Sequence, residues 1–309
     1  MDNELISILN ISLGLEVVNY LNDDDDVIEI YLNDDKKLWI DTLSEGRKFT
    51  GIEVNPQDSK NVILLVASYI NTEVNELKPI VTAELPVSGN RFEGSIPPVV
   101  QNPTFNIRKK AIRIFSLEEY VEKGSLTERQ YEAICKAVKD RKNILVSGGT
   151  SSGKTTLCNA IIAEISKYND RVVIIEDTQE LQCSCSDKVN LRTSDTVNMR
   201  DLLKSTLRRR PDRIIIGEIR DGAALNLLKA WNTGHPGGIS TIHANSCLEA
   251  LEQLESYISE VSLQPQQRTI SKAVNLVINI KKEGLKRVVS QIIEVIGLDE
   301  RGNYEIKEI

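Results

Sequence analysis

The sequence predicts an α/β protein in two parts: a larger domain built on a mainly parallel sheet, preceded by a smaller mixed α/β N-terminal domain. Three observations carry this expectation. The chain has 309 residues, about two domains at roughly 150 residues each. That length buries a sizeable core without disulfides or a structural metal. From residue 143 onward, short valine- and isoleucine-rich runs (NILVSG, RVVIIED, DRIIIGE, ISTIH) alternate with helical segments. Runs without polar alternation suit strands covered on both faces, and strands separated by helices imply a parallel sheet with right-handed crossovers. Finally, a glycine-rich segment, Gly148–Thr155, joins one such strand to a helix whose apolar face carries Leu157, Ile161, Ile162 and Ile165.

The earlier part reads differently. An apolar-periodic segment (Leu5, Ile8, Leu9, Leu13) precedes the acidic run Asp23–Asp26, which reads as a solvated turn. VIEIYLN, residues 27–33, alternates at period two and predicts a half-buried strand. KLWIDTL and the stretch 80–85 are further strand candidates. Periodicity leaves NVILLVASYI, residues 61–70, open between buried helix and strand. Pro97, Pro98 and Pro103 mark a boundary. The expected domains are therefore 1–103 and 116–309, with a hinge-like linker over 104–115. TERQYEAICKAVKD predicts a helix that Thr127 can cap. VNLVINI and KRVVSQIIEVIGL flank Lys282-Glu283-Gly284 and predict antiparallel strands closing one sheet edge.

Composition narrows the function. Lys plus Arg number 38 against 45 acids, a formal charge of −7. Direct nucleic-acid binding is not expected, because it runs on phosphate neutralisation. No stretch approaches the roughly 20 apolar residues that span a bilayer, and MDNELISILN lacks a signal-peptide pattern. The expected location is the cytoplasm, with any membrane contact peripheral. The 5 cysteines read as reduced thiols. Cys183 and Cys185 are close in sequence but lack further ligands at zinc-site spacing.

Gly148-Gly149-Thr150-Ser151-Ser152-Gly153-Lys154-Thr155 matches G-x-x-x-x-G-K-[ST] at every fixed position and sits between strand and helix. Successive backbone N–H groups and the helix N-terminus favour an anion there. Lys154 would reach the β- and γ-phosphates of a nucleotide, and the Thr155 hydroxyl would hold Mg²⁺. Ile214-Ile215-Ile216-Gly217-Glu218 is an apolar strand ending in an acid, the Walker B pattern. Glu218 is a candidate for contacting Mg²⁺ through water or for polarising the attacking water. Glu176, closing VVIIE, is the candidate general base or water orienter, with Asp177 and Glu180 in support. Acids so close repel unless a cation or arginines share the site. Both histidines of the chain, His235 and His243, bracket ISTI; His243, at the strand end, is the better γ-phosphate sensor. Arg208, Arg209, Arg210 and Arg213 precede Glu218, and Arg220 follows it. Not all can reach one phosphate, and most read as a solvated or pairing face.

GGTSSGKTT, IEDTQEL, LRRRPDRIIIGEIRDGAAL and TGHPGGISTIHANS, in that order, resemble the Walker A, Asp box, Walker B and His box of the secretion-superfamily ATPases of type II and type IV systems. PVSGNRFEGSIPPVV, PTFNIRKKA and EIYLNDDKKLWID are similar to the conjugative-transfer branch. The resemblance covers nearly the whole chain. It implies a RecA-like P-loop motor domain in a homohexameric ring, with ATP and Mg²⁺ between the two domains and other type IV secretion components as partners. It also places Thr156 with Gly153, Lys154 and Thr155 on phosphate and Mg²⁺. By the same resemblance, Arg91 and Arg108 of the N-terminal domain reach toward the nucleotide. One cysteine, Cys247, follows Walker B, where type II relatives often carry a four-cysteine zinc module. A pilus-retraction C-terminal motif is not found either, so those two branches are disfavoured. Three functions compete: an ATP-driven motor, a nucleotide-gated scaffold, and a nucleic-acid translocase with little aromatic stacking surface.

Overall fold

The computed structural model describes residues 2–110, 113–194 and 196–309. The chain forms two compact units, Met1–Ile112 and Arg113–Ile309. Residues 111 and 112, inside the expected hinge, lie outside the described residues.

The first unit runs α1 (Asp2–Leu13), α2 (Leu15–Asn22), β1 (Val27–Leu32), β2 (Lys37–Thr42), β3 (Gly46–Glu53), α3 (Pro56–Tyr69), β4 (Ile80–Glu84), β5 (Arg91–Ser95) and β6 (Thr104–Arg108). Its six strands pair antiparallel in the order β3-β2-β1-β6-β5-β4. Residues 104–108 therefore correct the expected linker. They form an interior strand, with Phe105 and Ile107 buried against the core. The proline cluster ahead of them interrupts the chain without ending the unit. The ambiguous apolar run is helical: Asn55 accepts from Gln57 N and Pro56 occupies the first turn, both good helix-start chemistry. That helix buries Val62, Ile63 and Val66.

The second unit continues with α4 (Leu117–Glu122), α5 (Glu128–Lys139), β7 (Ile144–Ser147), α6 (Lys154–Ile165), β8 (Val172–Glu176), β9 (Lys188–Arg192), α7 (Met199–Thr206) and β10 (Arg213–Ile216). It ends with α8 (Ala224–Asn232), β11 (Ile239–Ile242), α9 (Cys247–Ser259), α10 (Gln267–Ala273), β12 (Leu276–Glu283), β13 (Lys286–Leu298) and β14 (Tyr304–Glu308). Thr127 caps α5 in a reciprocal box with Gln130. The eight strands lie in the order β14-β13-β12-β7-β11-β10-β8-β9. The sheet is mixed rather than simply parallel. From β12 to β9 every pairing is parallel, and β13 and β14 return antiparallel at one edge. Alternate residues of the central strands feed two cores, one on each face. Val146, Ile174 and Ile215 pack with α5 and α6; Leu145, Ile175 and Ile214 pack with α8 and α9.

Buried polar residues pin the ends where the central strands begin. Asn143 is buried, and its Oδ1 accepts from Gly237 N at 2.8 Å and Gly238 N at 3.0 Å while Nδ2 donates to Ala273 O. Asn143→Ala strands those groups, so urea unfolding is expected to show a loss of about 1–3 kcal/mol. Arg213, the first residue of β10, is 1% exposed and donates to Asp170 Oδ2 at 2.7 Å, Gly237 O and Val138 O. Its guanidinium is consumed by structure at the opposite end of the strand from Glu218.

Candidate active site

Parallel strands bring their carboxyl ends to one edge of the sheet, where open α/β folds bind ligands. Ile242 and Asn279 both lie in register with Ser147, and Ile216 with Ile175. The loops that follow these strands thus emerge side by side.

The phosphate loop follows β7. Gly148 is required by close approach, since a Cβ there would lie 2.3 Å from Ile280 O and 2.5 Å from Ser152 Oγ. Gly153 precedes α6 with a φ of 99°, the left-handed region that glycine enters freely. Gly149, Thr150, Ser151 and Ser152 complete the turn, and Ser152 Oγ is buried without a hydrogen-bond partner among the described residues. Lys154 opens α6 and is buried. Its ammonium donates to Gly148 O and Gly149 O, each at 2.9 Å, and to His243 Nδ1 at 3.2 Å. An ammonium has no lone pair, so Nδ1 must accept and the ring proton sits on Nε2. Nε2 lies 2.7 Å from Glu218 Oε1. That oxygen is buried and makes no well-directed hydrogen bond. Glu218 Oε2 accepts from Arg220 Nε at 2.7 Å. Lys154, His243 and Glu218, distant in sequence, form one continuous run across the sheet edge.

The His243 pKa lies below its ordinary 6.5, first because burial disfavours the cation, then because Lys154 and Arg220 repel it; Glu218 opposes them. Relative to the unfolded chain, stability tied to the neutral ring is complete above pH 6.5. It declines as pH falls below that value toward the lower folded pKa. In a His235→Gln background, the remaining imidazole resonance is expected to titrate with a midpoint below 6.5. A midpoint at or above 6.5 contradicts this geometry.

The acids after β8 separate by function. Glu176 is buried, and its Oε1 accepts from Glu180 N at 3.0 Å and Leu181 N at 2.9 Å. It ties down the loop that carries its neighbours. Glu180 Oε2 meets the Thr155 hydroxyl at 3.4 Å, so the acid at the Mg²⁺-candidate threonine is Glu180. Asp177 accepts from Thr193 Oγ1 at 2.9 Å, and its backbone oxygen accepts from Arg192 Nε. The acidic cluster is thus relieved by separate donors. A cavity of about 280 Å³ is lined by Glu218 together with Asp177, Thr193, Asn198, Arg220 and Asp221 among others.

The remaining candidates divide sharply. His235 lies before β11 and His243 after it, so they stand at opposite ends of that strand and only His243 joins the site. Arg208, Arg209 and Arg210 are exposed beyond the start of β10. Arg91 and Arg108 face each other across β5 and β6 in the first unit. Thr156 is the third residue of α6. Sequence reading missed Asn159 and Asn279. Asn159 Oδ1 accepts from Gln182 N at 2.8 Å, holding the acidic loop against α6. Asn279 Nδ2 donates to Ser147 Oγ at 2.9 Å and reaches Ala244 O at 3.4 Å, linking the residues flanking the phosphate loop and His243. The available signal was an amide side chain interrupting an apolar run.

Hard oxygen donors suit Mg²⁺, and the Glu218 carboxylate, whose buried Oε1 faces His243 Nε2, together with the Thr155 hydroxyl supplies them. The residues fit such an ion.

The profile of the family described as "Type II/IV secretion system protein" matches residues 56–289. Conjugal transfer protein TrbB of Rhizobium radiobacter is 50% identical over 295 residues, 95% of this chain and 91% of that protein. Type IV secretion system protein VirB11 of Bartonella quintana (strain Toulouse) is 32% identical over 301 residues, 84% of this chain and 83% of its own. The crystal structure of the pilus retraction motor PilT with bound ADP superposes with a TM-score of 0.66 at 20% identity, covering 97% of this chain and 83% of that one; this likeness concerns the fold. By family profile and by identity along most of its length, the chain belongs to the type II/IV secretion system protein family.

Proposed function

We propose that this protein binds ATP with Mg²⁺ at the phosphate loop and hydrolyses it to ADP and phosphate. Turnover would power assembly of, or substrate transfer through, a type IV secretion apparatus of the conjugative kind. The observation that carries the reading is the Lys154–His243–Glu218 run at the sheet edge. A phosphate loop alone binds nucleotide; a carboxylate and a neutral imidazole beside its lysine add what hydrolysis needs. The names of the relatives, a conjugal transfer protein and a type IV secretion protein, support the apparatus.

The residues divide the work as follows. Backbone N–H groups of residues 148–156 cradle the phosphates, and Lys154 exchanges its two loop carbonyls for phosphate oxygens. Mg²⁺, held by Thr155 and Glu218, would neutralise phosphate charge. Glu218 polarises the attacking water, and His243 senses the γ-phosphate while bridging to Lys154. Glu176 acts through the loop it orders, which presents Glu180 to Thr155. Arg91 and Arg108 are carried as phosphate-neutralising candidates on the family resemblance alone, and the working assembly is a homohexameric ring. The protein works in the cytoplasm with other components of the apparatus, and any contact with the inner membrane is peripheral.

The test is transfer in cells. Conjugation is expected to fail with either Lys154→Ala or Glu218→Gln in place of the natural protein. Full transfer by a Glu218→Gln protein that binds but does not hydrolyse ATP would replace the motor with a nucleotide-gated scaffold.

A further inference from the structure

The β12–β13 hairpin runs alongside the phosphate loop. β12 pairs parallel with β7 up to Asn279↔Ser147, so residues 280–283 continue beside the loop after β7 has ended. The approach is close. The Cβ position of Gly153 lies 3.5 Å from Ile280 Cδ1, 3.4 Å from Arg287 Cγ and 3.7 Å from Arg287 Cβ. Cross-strand register pairs Ile280 with Val289 and Lys282 with Arg287. Side chains two apart on a strand share a face. Lys282 and Arg287 therefore occupy the face of Ile280 and Val289, the face that packs with α6.

Two like charges directly opposite on neighbouring strands destabilise a sheet. On the other face of the same hairpin, Lys281 is neutralised by Glu283 at 2.8 Å. Lys282 and Arg287 have no carboxylate within ion-pair distance among the described residues, and Arg287 Nη1 donates to Leu285 O at 3.3 Å. An unneutralised pair of cations beside the glycine that starts the phosphate-loop helix is a place for anionic oxygens. We propose that Lys282 and Arg287 form a cationic wall of the nucleotide site, contributed by the same chain, that binds the phosphate groups of ATP. This rests on the ATP-binding reading above and adds a binding element from outside its four motifs.

The test is calorimetric titration of the full chain with Mg²⁺ and a non-hydrolysable ATP analogue. Removing both cations, Lys282→Ala with Arg287→Ala, is expected to weaken binding at least about tenfold, the scale of losing charge-assisted contacts. Arg287→Lys keeps the charge and is expected to stay within about threefold of the natural protein. Lys281→Ala, on the opposite face, is expected to leave affinity unchanged. Undiminished affinity in the double variant, with Lys154→Ala having lost binding, overturns the cationic wall and leaves the ATP site standing. An equal loss with Lys281→Ala overturns it too, because the effect would then be one of net charge. Failure of the natural protein to bind the analogue overturns both readings together.

Discussion

Lys154→Ala is expected to lower kcat/KM for ATP by at least about 10³-fold, more than a single preorganised hydrogen-bond donor usually contributes. The reason is the number of tasks that converge on one buried ammonium. It holds Gly148 O and Gly149 O, which shapes the loop, and it contacts His243, which leads to Glu218. Alanine removes the positive charge, leaves two loop carbonyls without that donor and detaches the imidazole. Both analogue binding and turnover should therefore fall. Lys154→Arg is not expected to rescue, because a planar fork cannot satisfy acceptors that converge on a compact point charge. Unfolding by urea separates this from collapse of the fold. Retained turnover in a folded Lys154→Ala protein refutes the site.

Glu218→Gln is expected to bind the ATP analogue within a few-fold of the natural protein while kcat falls by about 10²–10⁴, the range for removing a positioned acid–base group. Glutamine keeps the shape and the contact with Arg220 but cannot polarise water as a carboxylate does. Single-turnover measurement locates the loss in the chemical step. The same substitution has a second readout. Glu218 raises the His243 pKa against burial and the two cations, so its neutral replacement should move the imidazole midpoint lower still. A midpoint that rises would mean that Glu218 and His243 are not neighbours in solution.

How much of this was legible in the sequence depended on distance along the chain. The phosphate loop was legible because its glycines, lysine and threonine are contiguous and their backbone demands are local. The cap at Thr127 and the β12–β13 turn were legible for the same reason. The interior place of Thr104–Arg108 was not, because three nearby prolines mimic a boundary while the strand's two neighbours, β1 and β5, are set by long-range pairing. Arg213 looked equivalent to Arg208 and Arg220; only its position at the start of β10 and the buried Asp170 reveal a structural cation. Glu176 and Glu180 stand four residues apart, yet the turn between them directs one inward to backbone N–H groups and the other to Thr155. No periodicity encodes that division. The pairings from β12 to β9 are parallel, and the antiparallel return at β13 is the hairpin that the sequence predicts; β14 continues that return beyond the predicted pair.

The most direct measurement is phosphate release by the purified, unmodified chain supplied with ATP and Mg²⁺. Saturable release that disappears on chelating the metal is the expected result. A folded protein that binds ATP and releases no phosphate, at any concentration where rings could assemble, would contradict a hydrolytic site built from Lys154, His243 and Glu218.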